Sequence, residues 1–168
     1  LRLTSRLGGT PVLDAIRRVY RDGGVVAGTS AGASAQSDTM IVAGDGEAAP
    51  RLGGGLRLAP GFGFLPGVIV DQHFAERGRM GRLVAAVAQN PAALGLGIDE
   101  DTAVVVDRGR FRVVGSGGVS VFDAARATFS NVADAGDAPL SVHDVAVHVL
   151  APGDRFDLNF RRPFRPSA

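Results

Sequence analysis

Hydrophobic positions along this chain change period from helical to alternating. Val12, Leu13, Ile16, Val19 and Tyr20 recur at helical spacing, as one buried helix face would. Thr10 can cap that helix, Pro11 suits its first position, and Asp22-Gly23-Gly24 stops it. Val25 to Ala27 is a short apolar run, predicted as a buried strand. Gly44 to Gly67 is rich in glycine and proline with no period, which predicts a long connection holding at most a short strand or turn. Val68-Ile69-Val70 predicts a second buried strand. From Glu76 onward Met80, Leu83, Val84 and Val87 fall at i, i+3, i+4 and i+7, an amphipathic helix ended by Asn90-Pro91. Leu94 to Ile98 predicts a third strand, closed by Asp99-Glu100-Asp101.

Beyond residue 101 the pattern becomes β-like. Ala103 to Val106, Phe111 to Val114, Val119 to Phe122 and Val145 to Leu150 read as short strands separated by turns such as Asp107-Arg108-Gly109. The prediction is an α/β fold: a mostly parallel sheet with flanking helices over 1–101, then a β-rich tail over 102–168 on the same sheet. At 168 residues and 45% hydrophobic, the chain suits a single domain.

Composition narrows the function classes. The formal charge is +1, with acidic and basic residues interspersed, so there is no electrostatic case for nucleic acid or a membrane surface. No apolar run approaches the roughly 18 residues of a membrane span. All 18 basic residues are arginine, a bias of composition rather than a site. The absence of cysteine excludes thiol catalysis and zinc thiolate sites.

Candidate chemistry begins at Gly28-Thr29-Ser30-Ala31-Gly32, a match to G-x-S-x-G. It reads either as a nucleophile elbow or as a small-residue loop in a glycine-rich chain. The elbow reading needs small residues at 28 and 32, and it places the Ala31 N–H where an oxyanion could be held. In an open α/β sheet, chemistry collects beyond the carboxyl ends of strands. The second predicted strand ends in Asp71-Gln72-His73-Phe74 and the third in Asp99-Glu100-Asp101. Ser30, His73 and one acid of the later cluster could therefore meet at one rim. Their chain order, serine then histidine then acid, is not that of α/β-hydrolases. His143 and His148 lie in the tail without such company and read as structural.

The strings GTSAGASA, VDQHFAERGRMGRL, GLGIDEDTAVVV and HVLAPGDRFDL, taken together, resemble the cyanophycinases of serine peptidase family S51. The resemblance implies a fold similar to class I glutamine amidotransferases. It also implies an exopeptidase that cuts cyanophycin, a polyaspartate with arginine joined to each β-carboxyl, into β-aspartyl-arginine dipeptides. Carried onto this sequence, it makes Ser30 the nucleophile, His73 the general base and Glu100 the acid. Asp71, Gln72, Arg77, Arg79 and Arg82 fall on substrate-pocket positions. Arginines would grip substrate carboxylates, and Asp71 would meet the arginyl arms. No cofactor or metal is implied, and a cytoplasmic homodimer is the expected state of the complete enzyme.

Other readings stand beside these. Arg79 and Arg82 point away from the predicted apolar helix face, where arginines are usually solvated or paired, here with Glu76 for Arg79. Asp99 and Asp101 could be turn residues, and spacing does not choose Glu100 between them. A peptidase of aspartyl dipeptides, or a noncatalytic binding protein on the same fold, would also fit. The chain opens at Leu1-Arg2-Leu3 without the family's preceding strands and its GGDQ-like turn. It is therefore expected to be the C-terminal part of such an enzyme, poorly soluble or oligomeric and inactive without an N-terminal segment.

Overall fold

The computed structural model describes residues 2–44, 50, 55–134, 136 and 138–165. Helices α1 (Arg2–Leu7), α2 (Pro11–Arg21) and α3 (Ala31–Ser34) come first, followed by strands β1 (Thr39–Ala43), β2 (Arg57–Pro60) and β3 (Val68–Gln72). Helix α4 (Met80–Gln89) leads to β4 (Leu94–Ile98), β5 (Thr102–Asp107), β6 (Arg110–Gly115) and β7 (Val119–Asp123). The chain ends with β8 (Phe129–Ser130), β9 (Val142–His143), β10 (Ala146–Leu150), β11 (Arg155–Asp157) and β12 (Arg162–Phe164).

The local signals of α2 act as read. Thr10 holds an extended N-cap conformation and its hydroxyl accepts the Leu13 N–H at 3.4 Å, satisfying one of the orphan donors at a helix start. Only Leu13 of the helix is buried. The expected strand at Val25–Ala27 does not form: the segment has no ladder partner among the described residues, and Val25 is 89% exposed. An apolar run becomes a strand only when something pairs with it. The expected connection over Gly44–Gly67 is part of a β-hairpin, with β1 and β2 paired antiparallel. Residues 45–49 and 51–54 of that stretch lie outside the described residues.

The first of the larger sheets has the order β10-β7-β4-β3, and the second β12-β11-β6-β5. Only β3 and β4 run parallel; the other pairings in both sheets are antiparallel. This corrects the expectation of a mostly parallel sheet. The β-rich tail is also divided rather than carried on one sheet, since β7 and β10 join the first sheet while β5, β6, β11 and β12 make the second.

Burial gives the reason. In β6 the pattern alternates, with Phe111 and Val113 buried between exposed Arg110 and Arg112, as in a strand with one wet face. In β4 every residue is buried, because that strand is covered on both sides. Val68, Val70, Leu94, Leu96, Ile98, Val119 and Val121 pack from the first sheet onto Phe111, Val113 and Phe156 of the second. Ile69 and Phe122 face the other way, onto Leu83, Ala86 and Val87 of α4 and onto Phe74. The core is thus three layers deep, with α4, the first sheet and the second sheet in succession. Among the described residues no helix is long and apolar enough to cross a membrane.

Candidate active site

Strands β3 and β4 are paired in register through Gln72 and Ile98, so both end at the same level and the residues after each are neighbours. His73 follows one strand; Asp99, Glu100 and Asp101 follow the other. The Phe74 N–H donates to the Ile98 carbonyl at 3.1 Å, folding the chain over the rim immediately after His73. Ser30 arrives from the side of β3, where the Ser37 hydroxyl accepts the Val70 N–H at 3.0 Å. That bond ties the segment after α3 to the edge of β3. Ser37 is fully buried and Ser34 nearly so, which sets both apart from exposed Ser30.

Ser30 has φ 50° and ψ −120°, a conformation that costs a non-glycine residue of order 1–3 kcal/mol. A Cβ on Gly28 would lie 2.2 Å from the Gly32 carbonyl oxygen, so position 28 must be glycine for the chain to turn there. Position 32, expected to need a small residue for the same reason, has open space around it. The Ser30 Oγ lies 3.1 Å from His73 Nε2, and His73 Nδ1 lies 2.7 Å from Glu100 Oε1. Ala31 opens α3, so its N–H has no partner within the helix.

The three acids after β4 have separate tasks. Glu100 faces His73. Asp99 accepts the Ala75 N–H and the Gly118 N–H, each at 3.0 Å, and so joins the turn after His73 to the β6–β7 turn. Asp101 accepts the Ser116 hydroxyl at 2.6 Å. Glu76, suggested as a partner of Arg79, instead accepts the Glu100 N–H at 3.1 Å. The turn bearing His73 and the turn bearing Glu100 are therefore stitched to each other twice, by Asp99 and by Glu76. The roles of Asp99 and Glu76 left no periodic signal in the sequence, because each is a side-chain-to-backbone bond across strand ends.

The expected substrate residues divide into two groups. Asp71 alternates with Val70 along β3 and so faces α4, where it is 1% exposed. Arg82 grips its carboxylate with two N–H groups, Nε at 2.6 Å and Nη2 on the other oxygen, and also donates to the Gly44 carbonyl at 3.1 Å. Arg79 stands 3.6 Å from the same carboxylate and donates to the Gln72 carbonyl and, at 2.9 Å, to Gln72 Oε1. Burial pushes the Arg79 guanidinium below its ordinary range and Arg82 adds to this, while Asp71 opposes it. The Asp71 carboxylate, expected to meet arginyl arms, is paired within the protein. The placement of Arg79 and Arg82 on an exposed helix face is corrected, since both side chains are only 11% exposed. Their outward angle from Leu83 and Val87 carries them beneath the rim rather than into water. Arg77 is exposed, and Gln72 is half-buried.

Met80, expected on the buried face, is 57% exposed; α4 begins at Met80 rather than Glu76, and its core face is Gly81, Leu83, Ala85, Ala86 and Val87. His143 lies 4.9 Å from the Phe129 ring and His148 5.4 Å from that of Phe156, both away from the rim. Among the described residues no group of three His, Asp or Glu side chains is placed to hold a metal ion.

The sequence profile of Peptidase family S51 matches residues 1–114. The cyanophycinase of Trichormus variabilis is 44% identical over 170 residues, taking in 99% of this chain and 56% of that protein. The cyanophycinase of Synechococcus elongatus is 39% identical over 161 residues, or 94% of this chain and 50% of that one. That of Geminocystis herdmanii is 38% identical over 166 residues, 97% and 61% respectively. The chain spans about half the length of these relatives. With its strained serine, the histidine after β3 and the acid after β4 all present, the chain belongs to peptidase family S51.

Proposed function

We propose that this chain carries the acyl-transfer centre of a serine-type exopeptidase that cuts cyanophycin into β-aspartyl-arginine dipeptides, on a fold like that of class I glutamine amidotransferases. The observation that carries the reading is the unbroken relay from Ser30 Oγ to His73 Nε2 at 3.1 Å and from His73 Nδ1 to Glu100 at 2.7 Å. A carboxylate can only accept, so Glu100 fixes the Nδ1–H tautomer and leaves Nε2 free to take a proton.

As Ser30 Oγ attacks the scissile carbonyl, its proton passes to His73 Nε2 and the carbonyl oxygen becomes an oxyanion, which the Ala31 N–H can receive. His73 then gives the proton to the departing amine, the carbon–nitrogen bond breaks, and an ester to Ser30 remains. A water attacks that ester, losing its proton to His73, which returns it to Ser30. Glu100 holds the imidazolium at each stage. Arg77 and Gln72 are the side chains with open donors for substrate carboxylates and amides, and Asp71, Arg79 and Arg82 act through them, by fixing the turn from which they project.

The reading is tested by incubating the protein, supplied with the N-terminal segment it is expected to need, with cyanophycin and with a panel of aspartyl dipeptides. Release of β-aspartyl-arginine that ceases in Ser30→Ala, with phosphonate labelling at Ser30, supports it. Cleavage of aspartyl dipeptides without action on the polymer moves the assignment to a dipeptidase, and labelling at Ser34 or Ser37 removes Ser30 from its role.

A further inference from the structure

The outer face of the second sheet carries two neighbouring rows of side chains with opposite electrostatics. In one row Asp107 stands opposite Arg110, and Arg110 opposite Asp157. Arg110 Nε donates to Asp157 at 2.9 Å, and its guanidinium lies 5.2 Å from the centre of the Phe164 ring. That row is matched in charge. In the next row Val105 stands opposite Arg112, Arg112 opposite Arg155, and Arg155 opposite Phe164. Two cations thus face each other directly across adjacent strands, an arrangement that destabilises a sheet. Both are exposed, and among the described residues neither guanidinium has a hydrogen bond, ion pair or ring contact. Both rows line a single open cleft of about 550 Å³ that also takes in Arg108, Asn159 and Phe160.

We propose that this cleft is a second binding site for the polymer, separate from the triad, in which Arg112 and Arg155 jointly hold a carboxylate. The proposal rests on the cyanophycin reading above for the identity of the chain that binds. An arginine joined to the polymer through its amino group keeps its own carboxylate and its guanidinium, so each arm ends in both charges. The cleft offers the complement of both. Two planar guanidiniums on strands about 4.8 Å apart can close on one carboxylate. Asp107, whose only ion pair among the described residues is to its exposed neighbour Arg108 at 3.9 Å, is open to the guanidinium of the arm. Val105 and Phe164 flank the arginine pair and cover the methylene stem. The row at Val105 lies three positions along β5 from Thr102, roughly 10 Å, so one polymer could engage the cleft while another part of it reaches the rim. Holding the polymer there raises its effective concentration at Ser30.

The test is co-sedimentation of the full chain, as Ser30→Ala to prevent digestion, with insoluble cyanophycin. Replacement of the pair, R112Q with R155Q, is expected to weaken binding about tenfold or more, the loss of one or two charge-assisted contacts. R18Q with R21Q removes the same charge from α2 and is expected to bind as before. Without any variant, β-aspartyl-arginine is expected to slow phenylglyoxal modification of Arg112 and Arg155 but not of Arg18. Unchanged sedimentation of the R112Q/R155Q protein, or no protection, overturns the proposal. Competition by duplex DNA as effective as that by poly-L-aspartate also overturns it, since the cleft would then be a general cationic surface. If sedimentation depends on Arg112 and Arg155 in a protein that, with its N-terminal segment supplied, neither hydrolyses the polymer nor takes a phosphonate at Ser30, the cleft stands and the catalytic reading falls. Hydrolysis with unaltered binding is the reverse case.

Discussion

The rim above β3 and β4 and the ladder of β5 with β6 are made of the same kinds of residue and held in different ways. Along the ladder, six consecutive pairs from Thr102↔Gly115 to Asp107↔Arg110 keep register, and backbone bonds alone define the geometry. At the rim the ladder has ended. Three non-glycine residues there have positive φ, namely Ser30, His73 and Asp101, and side chains supply the bonds that strands would otherwise make. The difference teaches where substitutions will matter. A ladder tolerates changes to its outward side chains, whereas the rim depends on single atoms of Asp71, Asp99 and Glu76.

The largest effect expected is on chemistry. In the complete enzyme, Ser30→Ala should lower hydrolysis by ~10⁴-fold or more, the scale for removing one member of a catalytic unit, with the melting curve little changed. Turnover surviving in that protein would make the rim no more special than the ladder.

On stability, Asp71→Ala should be the most damaging change at the rim. It leaves Arg82 and Arg79 buried without their carboxylate, and breaking a buried pair costs about 3–5 kcal/mol. A melting temperature lower by roughly 10 °C is expected, and Asp71→Leu with Arg82→Met should recover most of it. A single-variant loss below about 1 kcal/mol would mean that the buried pair does not hold the rim.

A smaller effect is expected at Gly97, where a Cβ would lie 2.4 Å from the Phe74 ring. Gly97→Ala should cost about 1–3 kcal/mol by overpacking and, because Phe74 is next to His73, lower kcat more than it raises KM. The matching change on the ladder, Ala103→Val on its exposed face, should stay within about 0.5 kcal/mol. Similar losses at both sites would erase the contrast.

The last expectation concerns acid. Burial pushes the Asp123 carboxyl up, but the two hydrogen bonds from Arg161, both 2.7 Å, and the Ala125 N–H outweigh it and hold the group below its ordinary range. Asp157 is held down likewise, first by the Phe160 N–H and then by Arg110 against the effect of burial. A carboxyl whose folded pKa is depressed stabilises the fold above its unfolded pKa, about 3.9, and that stabilisation is lost as pH falls through the folded value. Denaturant melts of Asp123→Asn should therefore be less stable than the parent at neutral pH, with the gap closing below about pH 4. A gap independent of pH would assign Asp123 a packing role alone.

Much of this arrangement could be read from residue order, and the unread parts have physical reasons. Thr10 with Pro11 announced α2, and continuous apolar runs announced β3 and β4, because those signals are local. Strand direction was not legible: β7 and β10 have apolar positions that suit either a parallel or an antiparallel neighbour, and only the finished sheet decides. Val25 to Ala27 has the composition of a strand and no ladder partner among the described residues, and composition cannot report a partner. At the rim, Ser30 and His73 stood out by motif and strand-end position. Glu100 did not stand out from Asp99 and Asp101, since what separates them is Ala75, Gly118 and Ser116 brought from elsewhere in the chain. The pairing of Asp71 with Arg82 and Arg79 was not legible either, since a carboxylate two residues before His73 resembles a ligand contact until the arginines beneath it are seen.

Strand β4 presents glycine at both positions, 95 and 97, that face α4 and the turn after His73; a Cβ there would run into Val87 and Leu83 or into Phe74. One wall of the rim is therefore bare backbone, and the spacing between the layers is set entirely from the opposite wall. For anyone redesigning this protein, the adjustable parts are Leu83, Val87 and Phe74. Exchanging them for smaller or larger hydrophobic residues would move the histidine-bearing turn nearer to or farther from the strand, in steps of a methylene, without altering a hydrogen bond of the sheet.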